Sequence, residues 1–211
     1  MRDRALDADE RRRFLGVVAR NSKCLHKLVD DLLFVARIQA NNLALELTQA
    51  DLGAILRESV LAAVPAADHR GITLSLKAEA SALEGDPTRL AQVVDNLVSN
   101  ALEFAPAGGH VVVRGYERRA WGVVGVEDSG IRVPVAEQRR LFERFFRTST
   151  ATEKQIQGTG IGLYITKRIH GESISFDSEE GAGTTFRVTL PVAAADKVEP
   201  FAEPQERTGV S

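Results

Sequence analysis

The sequence predicts a mixed α/β domain that is preceded by one long helix. Residues 14–39 contain no proline and, after Gly16, no glycine, and their apolar side chains recur at helical spacing. From residue 43 onward, stretches in which apolar and polar residues alternate are interspersed with stretches of helical periodicity. We therefore place the long helix at 1–42, the mixed domain at 43–192 and a disordered tail at 193–211, where charge, proline and glycine replace the apolar order.

The long helix carries an apolar seam that suits a second helix. Its members follow one another at steps of seven, three, four and three residues: Val18, Leu25, Leu28, Leu32 and Val35. Asn21 occupies a seam position, where a buried polar residue fixes the register of a helix pair. We expect a homo- or heterodimer through this helix. An amphipathic helix that lies on its own domain is the alternative, because one helix alone does not show what it packs against.

The mixed domain begins with two strands that flank a helix. Alternating leucines predict a strand at 43–47, and a second alternation predicts one at 72–76. Asp51 can cap the helix between them, which Pro65 is expected to end. Further along, the pattern predicts, in order, a hairpin of strands at 110–116 and 120–127 joined at 117–119, a helix at 134–146, a polar loop at 148–157, a helix at 161–169, and closing strands at 173–177 and 184–190 around a turn at 180–183.

Composition excludes several classes of function. The chain has 211 residues, and 27 basic against 29 acidic side chains leave a net charge of −2. Coating of nucleic acid and adhesion to an anionic membrane both require a basic surplus, so we expect no nucleic-acid partner. The single Cys24 excludes an intrachain disulfide and every zinc site built from several cysteines. With no apolar stretch of about 20 residues, we expect a soluble, cytoplasmic chain, whose full-length relatives could be membrane-anchored.

The helix that Asp86 and Pro87 open has two different faces. Asn96, Asn100 and Glu103 recur at i, i+4 and i+7 on one face, so two amides and a carboxylate project together. Oxygen donors one turn apart suit a hard cation such as Mg²⁺, whose shell substrate phosphates complete. The same spacing is also typical of a solvated face. The apolar stripe on the other side comprises Leu90, Val93, Val94, Leu97 and Ala101.

Two further motifs place small residues at the end of a strand and the start of a helix. Asp128-Ser129-Gly130 follows an apolar strand, so its carboxylate could accept a hydrogen bond from a base amine, or the motif could form a plain turn. Residues 158–163, GTGIGL, place three alternating glycines before a helix whose N–H groups favour phosphate, with a flexible hinge as the alternative. A dinucleotide-binding fingerprint and a P-loop are excluded, since a polar loop precedes this run and no Lys-Ser/Thr closes it.

In chain order, the sequence resembles the N, G1, F and G2 boxes and the final strand of sensor histidine kinases, over about residues 50–191. The segments that carry this resemblance are DPTRLAQVVDNLVSNALEFAP, VEDSG, LFERFFR, GTGIGLYITKRI and GAGTTFRVTLP. The long helix resembles the second helix of that family's dimerisation hairpin. The resemblance implies a two-layer α/β sandwich of the Bergerat ATPase type, an ATP site that uses Mg²⁺, phosphoryl transfer to a histidine, and a response regulator as partner.

The resemblance also implies roles for individual residues. Asn100 matches the Mg²⁺ ligand, and Asn96 matches its neighbour on the phosphate side. Asp128 matches the carboxylate that receives the adenine amino group, Gly130 the glycine beside the base, and Phe104 the aromatic residue that covers adenine. The mobile lid would be 148–157, and the remaining implied nucleotide contacts are Arg132, Arg147, Gly158, Thr159, Gly160, Gly162, Leu163 and Thr185, the last through a water beside adenine.

Three positions depart from the family pattern. Glu103 stands where the family usually has lysine, so it would repel a triphosphate unless it turns toward Mg²⁺. Arg132 replaces a glycine of the G1 box and could reach a phosphate instead. Glu172 occupies the place of a glycine, in a segment about three residues shorter than the family pattern.

The histidines lack the setting of the family's phosphoacceptor, which belongs to the first hairpin helix. His26 lies on the match to the second helix, and the others are His69, His110 and His170. We therefore expect phosphoryl transfer to a histidine on another chain or on a missing hairpin helix, and not within this chain. A nucleotide-binding pseudokinase that acts as a regulatory interaction module is the alternative.

Overall fold

The computed structural model describes residues 7–40, 45–79, 81–118, 121–156, 158–170, 174–179 and 183–192. The chain divides into two compact units, Met1–Leu43 and Ala44–Ser211. Several predicted features lie wholly or partly outside the described residues, namely the beginning of the strand at 43–47, the hairpin connection at 119, the end of the lid at 157, Glu172, Ser173, the turn at 180–182 and the tail at 193–211.

The first unit contains one helix, α1, which spans Ala8–Gln39 and confirms the predicted long helix. It begins earlier than the apolar pattern because Asp7 and Glu10 form a reciprocal cap. The Asp7 carboxylate accepts from the Glu10 N–H at 2.7 Å, and the Glu10 carboxylate accepts from the Asp7 N–H at 3.2 Å. Val18, Leu25 and Leu32 of the predicted seam are exposed. The apolar seam is therefore available on the helix surface along these turns.

The second unit alternates short strands with helices. In chain order its elements are β1 (Thr48–Asp51), α2 (Leu52–Arg70), β2 (Thr73–Ala78), β3 (Ala82–Gly85), α3 (Pro87–Phe104), β4 (His110–Arg118), β5 (Trp121–Asp128), α4 (Ser149–Glu153), α5 (Gly162–His170), β6 (Ile174–Glu179) and β7 (Gly183–Pro191). Five strands form one sheet in the order β2-β4-β5-β7-β6, in which β2 and β4 are parallel and all other neighbours are antiparallel. β1 and β3 form a separate antiparallel pair.

One face of the five-stranded sheet is covered by helices, and the other carries several charged and polar side chains. In β4, Val113 is fully buried, whereas Arg114 points to the opposite face and pairs with Glu127 of β5 at 3.0 Å. Leu56 of α2 lies directly against Gly115, so a larger side chain at this glycine would overlap it. The core therefore lies between the helices and one sheet face. This arrangement confirms the expected two-layer α/β sandwich.

Local signals predicted several elements correctly. Asp51 caps α2 by accepting from the Ala54 N–H at 3.0 Å, and Asp86 caps α3 by accepting from the Thr88 N–H at 3.0 Å. The whole predicted apolar stripe of α3 is buried. The structure also confirms the helix predicted at 161–169 and, within the described residues, the strands predicted at 72–76, 110–116, 120–127, 173–177 and 184–190.

The strand predicted at 43–47 is wrong over its described part. Leu45 and Leu47 are 40% and 59% exposed and lie before the strand, which is β1. β1 pairs with β3, a strand that the sequence analysis missed. Alternation alone misplaced the strand, because β1 is fixed by a pairing with residues more than 30 positions later.

Pro65 does not end α2, contrary to expectation. The helix continues to Arg70 and ends at Gly71, whose φ of 64° is left-handed. Proline removes the hydrogen bond to the carbonyl of residue 61. Leu61 and Pro65 are both exposed, so water can hydrate this part of the backbone.

The helix predicted at 134–146 is also wrong. Only Val135–Arg140 is helical, as a 3₁₀ turn, and the backbone then bends through Phe145, whose φ is 60°. A positive φ at Phe145 is incompatible with a continuous right-handed helix, and the backbone of Phe145 and Phe146 packs closely against Gly160. Phe142 packs edge-on against Phe176 with ring centroids 5.9 Å apart, and Arg140 stacks on Phe146. The polar loop predicted at 148–157 in turn contains α4.

Candidate functional site

The polar face of α3 runs beside the glycine segment, residues 158–162. The Oδ1 atom of Asn96 lies 3.4 Å from the position that a Cβ on Gly162 would occupy. Seven residues later, Oε2 of Glu103 lies 3.8 Å from the corresponding position at Gly158. Asn96 is only 5% exposed, whereas Asn100 and Glu103 are half-buried. The structure therefore brings together the helix face and the glycine segment that the sequence analysis singled out separately.

Asp128 ends β5 as a buried carboxylate, with 3% of its surface exposed. The Gly130 N–H donates to its Oδ1 at 2.8 Å. Burial raises the pKa of Asp128 to about 6, although hydrogen bonds from the Gly130 and Thr184 backbones and the charge of His110 oppose the rise. A carboxylate held in this way keeps acceptor capacity for a further donor, such as an exocyclic amine.

Gly130 joins the Asp128 loop to the end of α3. A Cβ at this glycine would lie 2.6 Å from the carbonyl oxygen of Phe104 and 2.5 Å from Oδ1 of Asp128. Only glycine allows this close approach. Phe104, half-buried at the end of α3, is thereby brought beside the loop that contains Asp128.

The strand register separates Thr185 from Asp128. Asp128 lies opposite Thr184, whereas Thr185 lies opposite Glu127. Residues that face each other across an antiparallel pair share a sheet face, and the next residue along the strand points to the other side. The structure therefore brings Thr184 to Asp128 and leaves Thr185 on the opposite face. The sequence analysis missed Thr184, although the buried alternation of Thr184, Phe186 and Val188 was a usable signal.

Thr184 also helps to fix the loop that follows Asp128. Its hydroxyl lies 3.0 Å from the Ser178 hydroxyl, which in turn accepts from the Val133 N–H at 2.8 Å. The edge strand β6 and its neighbour β7 therefore hold the loop at its far end. Arg132 lies within this loop and is exposed.

The glycine segment is fixed by close packing at its middle. Gly160 has a φ of 69°, and a Cβ there would lie 2.7 Å from the carbonyl oxygen of Phe146. Ile161 is fully buried, and its N–H donates to the Thr159 hydroxyl at 3.3 Å. Gly162 and Leu163, both half-buried, begin α5, so the first N–H groups of that helix lie at this segment. The N-terminus of a helix favours an anionic group such as phosphate.

Arg147 contacts the lid in this structure. Its guanidinium donates to the carbonyl of Ile156 and so joins the two ends of the described lid residues. Thr148 caps α4 by accepting from the Ala151 N–H at 3.2 Å, and the Ser149 N–H donates to the Glu137 carboxylate at 3.0 Å. These contacts give the lid a defined fold. The role that the resemblance implies for Arg147 at the nucleotide stays a prediction.

The donors on α3 fit a hard divalent cation whose shell is completed from outside the protein. Asn96, Asn100 and Glu103 offer oxygen atoms along one helix face. Within the described ranges, no cluster of three or more His, Cys, Asp or Glu residues could hold a metal by itself. A cation here would depend on water and on substrate phosphates, which is the usual way in which Mg²⁺ is bound.

A buried acid at a strand end, a glycine segment at a helix N-terminus and a polar helix face between them are typical of a nucleotide-binding α/β domain. The chain belongs to the family of histidine kinase-, DNA gyrase B- and HSP90-like ATPases, which it matches over residues 85–194. Nucleotide use follows from membership of this ATPase family.

Within the family, the chain is homologous to sensor histidine kinases, as the sequence resemblance implied. It is 32% identical over 189 residues to the sensor protein SrrB of Staphylococcus aureus strain N315, an alignment that covers 88% of this chain and 32% of that protein. The chain thus spans about a third of the length of the curated relatives it matches.

Solved structures of histidine kinases share the fold. The catalytic domain of histidine kinase ThkA is 29% identical, with a TM-score of 0.62 over 70% of this chain and 96% of that one. The protein ShkA, solved in full length in complex with AMPPNP, is 26% identical, with a TM-score of 0.74 over 91% of this chain and 41% of that one. Among the helices in the described ranges, none has the length and apolarity needed to cross a membrane.

Proposed function

We propose that the domain from residue 43 to 192 binds ATP with Mg²⁺ and transfers its γ-phosphoryl group to a histidine on another chain or on a segment outside this sequence. The observation that carries this proposal is the buried Asp128, joined through Gly130 to the end of α3. It places an acceptor for a base amine at one end of the candidate site. The N-terminus of α5 lies at the glycine segment, which gives the site a phosphate end.

In this proposal each residue acts on a different part of the nucleotide. Asp128 accepts a hydrogen bond from the adenine amino group, Thr184 lies beside it, and Phe104 covers the base. The first N–H groups of α5 and the glycine segment bind the phosphates. Asn96 and Asn100 orient the phosphates and would hold Mg²⁺. When it is bound, this ion would neutralise phosphate charge. Catalysis then consists mainly of positioning and electrostatic stabilisation.

The acceptor is proposed to come from elsewhere because the acceptor histidine of the family belongs to the first hairpin helix, and none of the described histidines lies on a match to that helix. His26 lies on α1 with its Nε2 3.7 Å from a carboxylate oxygen of Asp30, on an exposed helix face. His69 and His110 are also exposed and belong to the nucleotide-binding unit itself.

Residues 1–42 are proposed to act as the second helix of a dimerisation hairpin. The support is the apolar seam on α1, of which Val18, Leu25 and Leu32 are exposed. Exposed leucines at coiled-coil spacing favour burial against a further helix. The proposed partners are a hairpin helix that carries the acceptor histidine and, after transfer, a response regulator. The alternative of an interaction module without transfer gains no support from the similarity to sensor kinases.

Calorimetric titration of the chain with ATP and Mg²⁺ tests the nucleotide site. We expect saturable binding with one nucleotide per chain, weakened at least about tenfold by Asp128→Asn, because the neutral amide is a poorer acceptor. Thr185→Val is the matched control, since Thr185 lies on the other sheet face. Absence of binding by the unaltered chain up to millimolar ATP would contradict the proposal.

A further inference from the structure

Glu103 places a negative charge at the phosphate end of the candidate site. It is the penultimate residue of α3, and its Oε2 faces the start of the glycine segment, 3.8 Å from the position of a Cβ on Gly158. Asn100 precedes it by three residues, so both belong to one face of the helix. Glu103 is half-buried, which limits screening of its charge by water.

A carboxylate in this position acts in opposite directions on free and metal-bound nucleotide. Metal-free ATP would bring its phosphates against a like charge, which weakens binding by Coulomb repulsion. With a divalent cation between the phosphates and α3, the carboxylate favours nucleotide binding instead, because carboxylate oxygen is a preferred ligand of hard cations. The amide of Asn100 lacks this effect, since it carries no charge.

We infer that Glu103 makes nucleotide binding conditional on a divalent cation. The carboxylate repels metal-free nucleotide and, together with Asn100, contacts the cation that arrives with the phosphates, directly or through its water shell. The site then selects the metal complex over the free nucleotide more strongly than a neutral or cationic residue at this position would. This inference rests on the proposed function, because it concerns the same nucleotide site.

The test compares dissociation constants for ATP with excess Mg²⁺ and with EDTA, measured by calorimetry on the full chain. For each protein the quantity of interest is the ratio of the EDTA value to the Mg²⁺ value. We expect Glu103→Gln to lower this ratio at least about tenfold, and Glu103→Lys to lower it further, because each step removes negative charge from the phosphate end. Glu84→Gln is the control, since Glu84 is exposed in β3 at the opposite end of α3.

A second readout follows the metal directly. Electron paramagnetic resonance of Mn²⁺ in the presence of ATP measures the affinity of the cation for the complex, and we expect Glu103→Gln to weaken it several-fold while Glu84→Gln leaves it unchanged. Circular dichroism of each variant establishes that it is folded.

The two proposals fail in different ways. Binding of ATP by the unaltered chain with equal ratios in all variants, or with unchanged Mn²⁺ affinity in Glu103→Gln, would overturn the role of Glu103 and leave the ATP site intact. Absence of ATP binding by the unaltered chain in Mg²⁺, in EDTA and in every variant would overturn the nucleotide site itself.

Discussion

Thr184 lies directly opposite Asp128 across the antiparallel pair of β5 and β7, and its backbone donates to the buried carboxylate. Its hydroxyl lies 3.0 Å from that of Ser178 on the neighbouring strand. Two strands that are distant from Asp128 in sequence therefore fix the acid and the loop beyond it. The position of Asp128, the candidate acceptor for the base, therefore depends on this register.

The first prediction separates the two adjacent threonines. Thr184→Val should weaken ATP binding about tenfold and lower the free energy of unfolding by about 1 kcal/mol, because it removes the hydroxyl of the residue opposite Asp128 and its contact with Ser178. Thr185→Val should change ATP affinity less than twofold. Calorimetry and urea denaturation measure the two effects. The reverse order of affinities would show that the base lies on the other sheet face.

The second prediction concerns the pH dependence of stability. The pKa of Asp128 rises from 3.8 to about 6 on folding, so the folded state retains the proton over a range in which the unfolded state loses it. The contribution of this group to stability is therefore present below about pH 4 and lost as the pH rises to about 6. Asp128→Asn removes the effect. The free energy of unfolding of the variant relative to the unaltered protein should rise by up to about 3 kcal/mol from pH 4 to pH 7.

Urea denaturation of both proteins across this pH range measures that difference, in which other titrating groups cancel. A difference in the free energy of unfolding that stays constant at all pH values would mean that folding does not raise the pKa of Asp128. ATP affinity should decline as the pH falls below about 6, because protonation of Asp128 removes the negative charge that strengthens its hydrogen bond with a base amine.

The third prediction concerns Gly160. Both Gly160 and Gly108 have positive φ, of 69° and 78°, but a Cβ at Gly108 meets nothing within 4 Å, whereas one at Gly160 meets the Phe146 carbonyl at 2.7 Å. Each alanine variant incurs a backbone cost of about 1 kcal/mol. Gly160→Ala should lose about 1–3 kcal/mol more through overlap. Equal losses for the two variants in urea denaturation would show that the contact with Phe146 is not maintained in solution.

The fourth prediction concerns the lid. Arg147→Ala removes the hydrogen bond to the Ile156 carbonyl, so cleavage by a protease within residues 148–156 should become several-fold faster. Arg139→Ala, which changes an exposed arginine of the 3₁₀ turn, is the control. Limited proteolysis followed by mass spectrometry measures both rates. Equal cleavage in the two variants would show that this bond does not restrain the lid.

Local sequence signals predicted the parts of the fold that depend on nearby residues. The helix α3 could be predicted because its cap Asp86, its first residue Pro87 and its apolar stripe are all close together in sequence. Its polar face and the glycine segment were recognised separately, and their proximity is set by tertiary packing. Which threonine meets Asp128 depends on the pairing of strands more than 50 residues apart, which alternation alone does not specify.

Long-range packing also explains the elements that the sequence analysis missed. β1 exists only through its pairing with β3. The bend at Phe145 accompanies the packing of Gly160 against the same backbone, so a pattern that reads as one helix becomes a turn. Periodicity in a short window contains no information on either contact.

Labelled ATP shows whether the phosphoryl group passes to a histidine on a separate helix. The chain is incubated with ATP labelled on the γ-phosphate, alone and with a partner that contains the first helix of a histidine-kinase hairpin. We expect acid-labile, alkali-stable label on the partner and none on the chain. Leu28→Glu should abolish this transfer without changing ATP affinity, because Leu28 belongs to the α1 seam. Acid-labile label on the isolated chain that is lost in His26→Gln, or no label on the partner although ATP binds, would contradict the account.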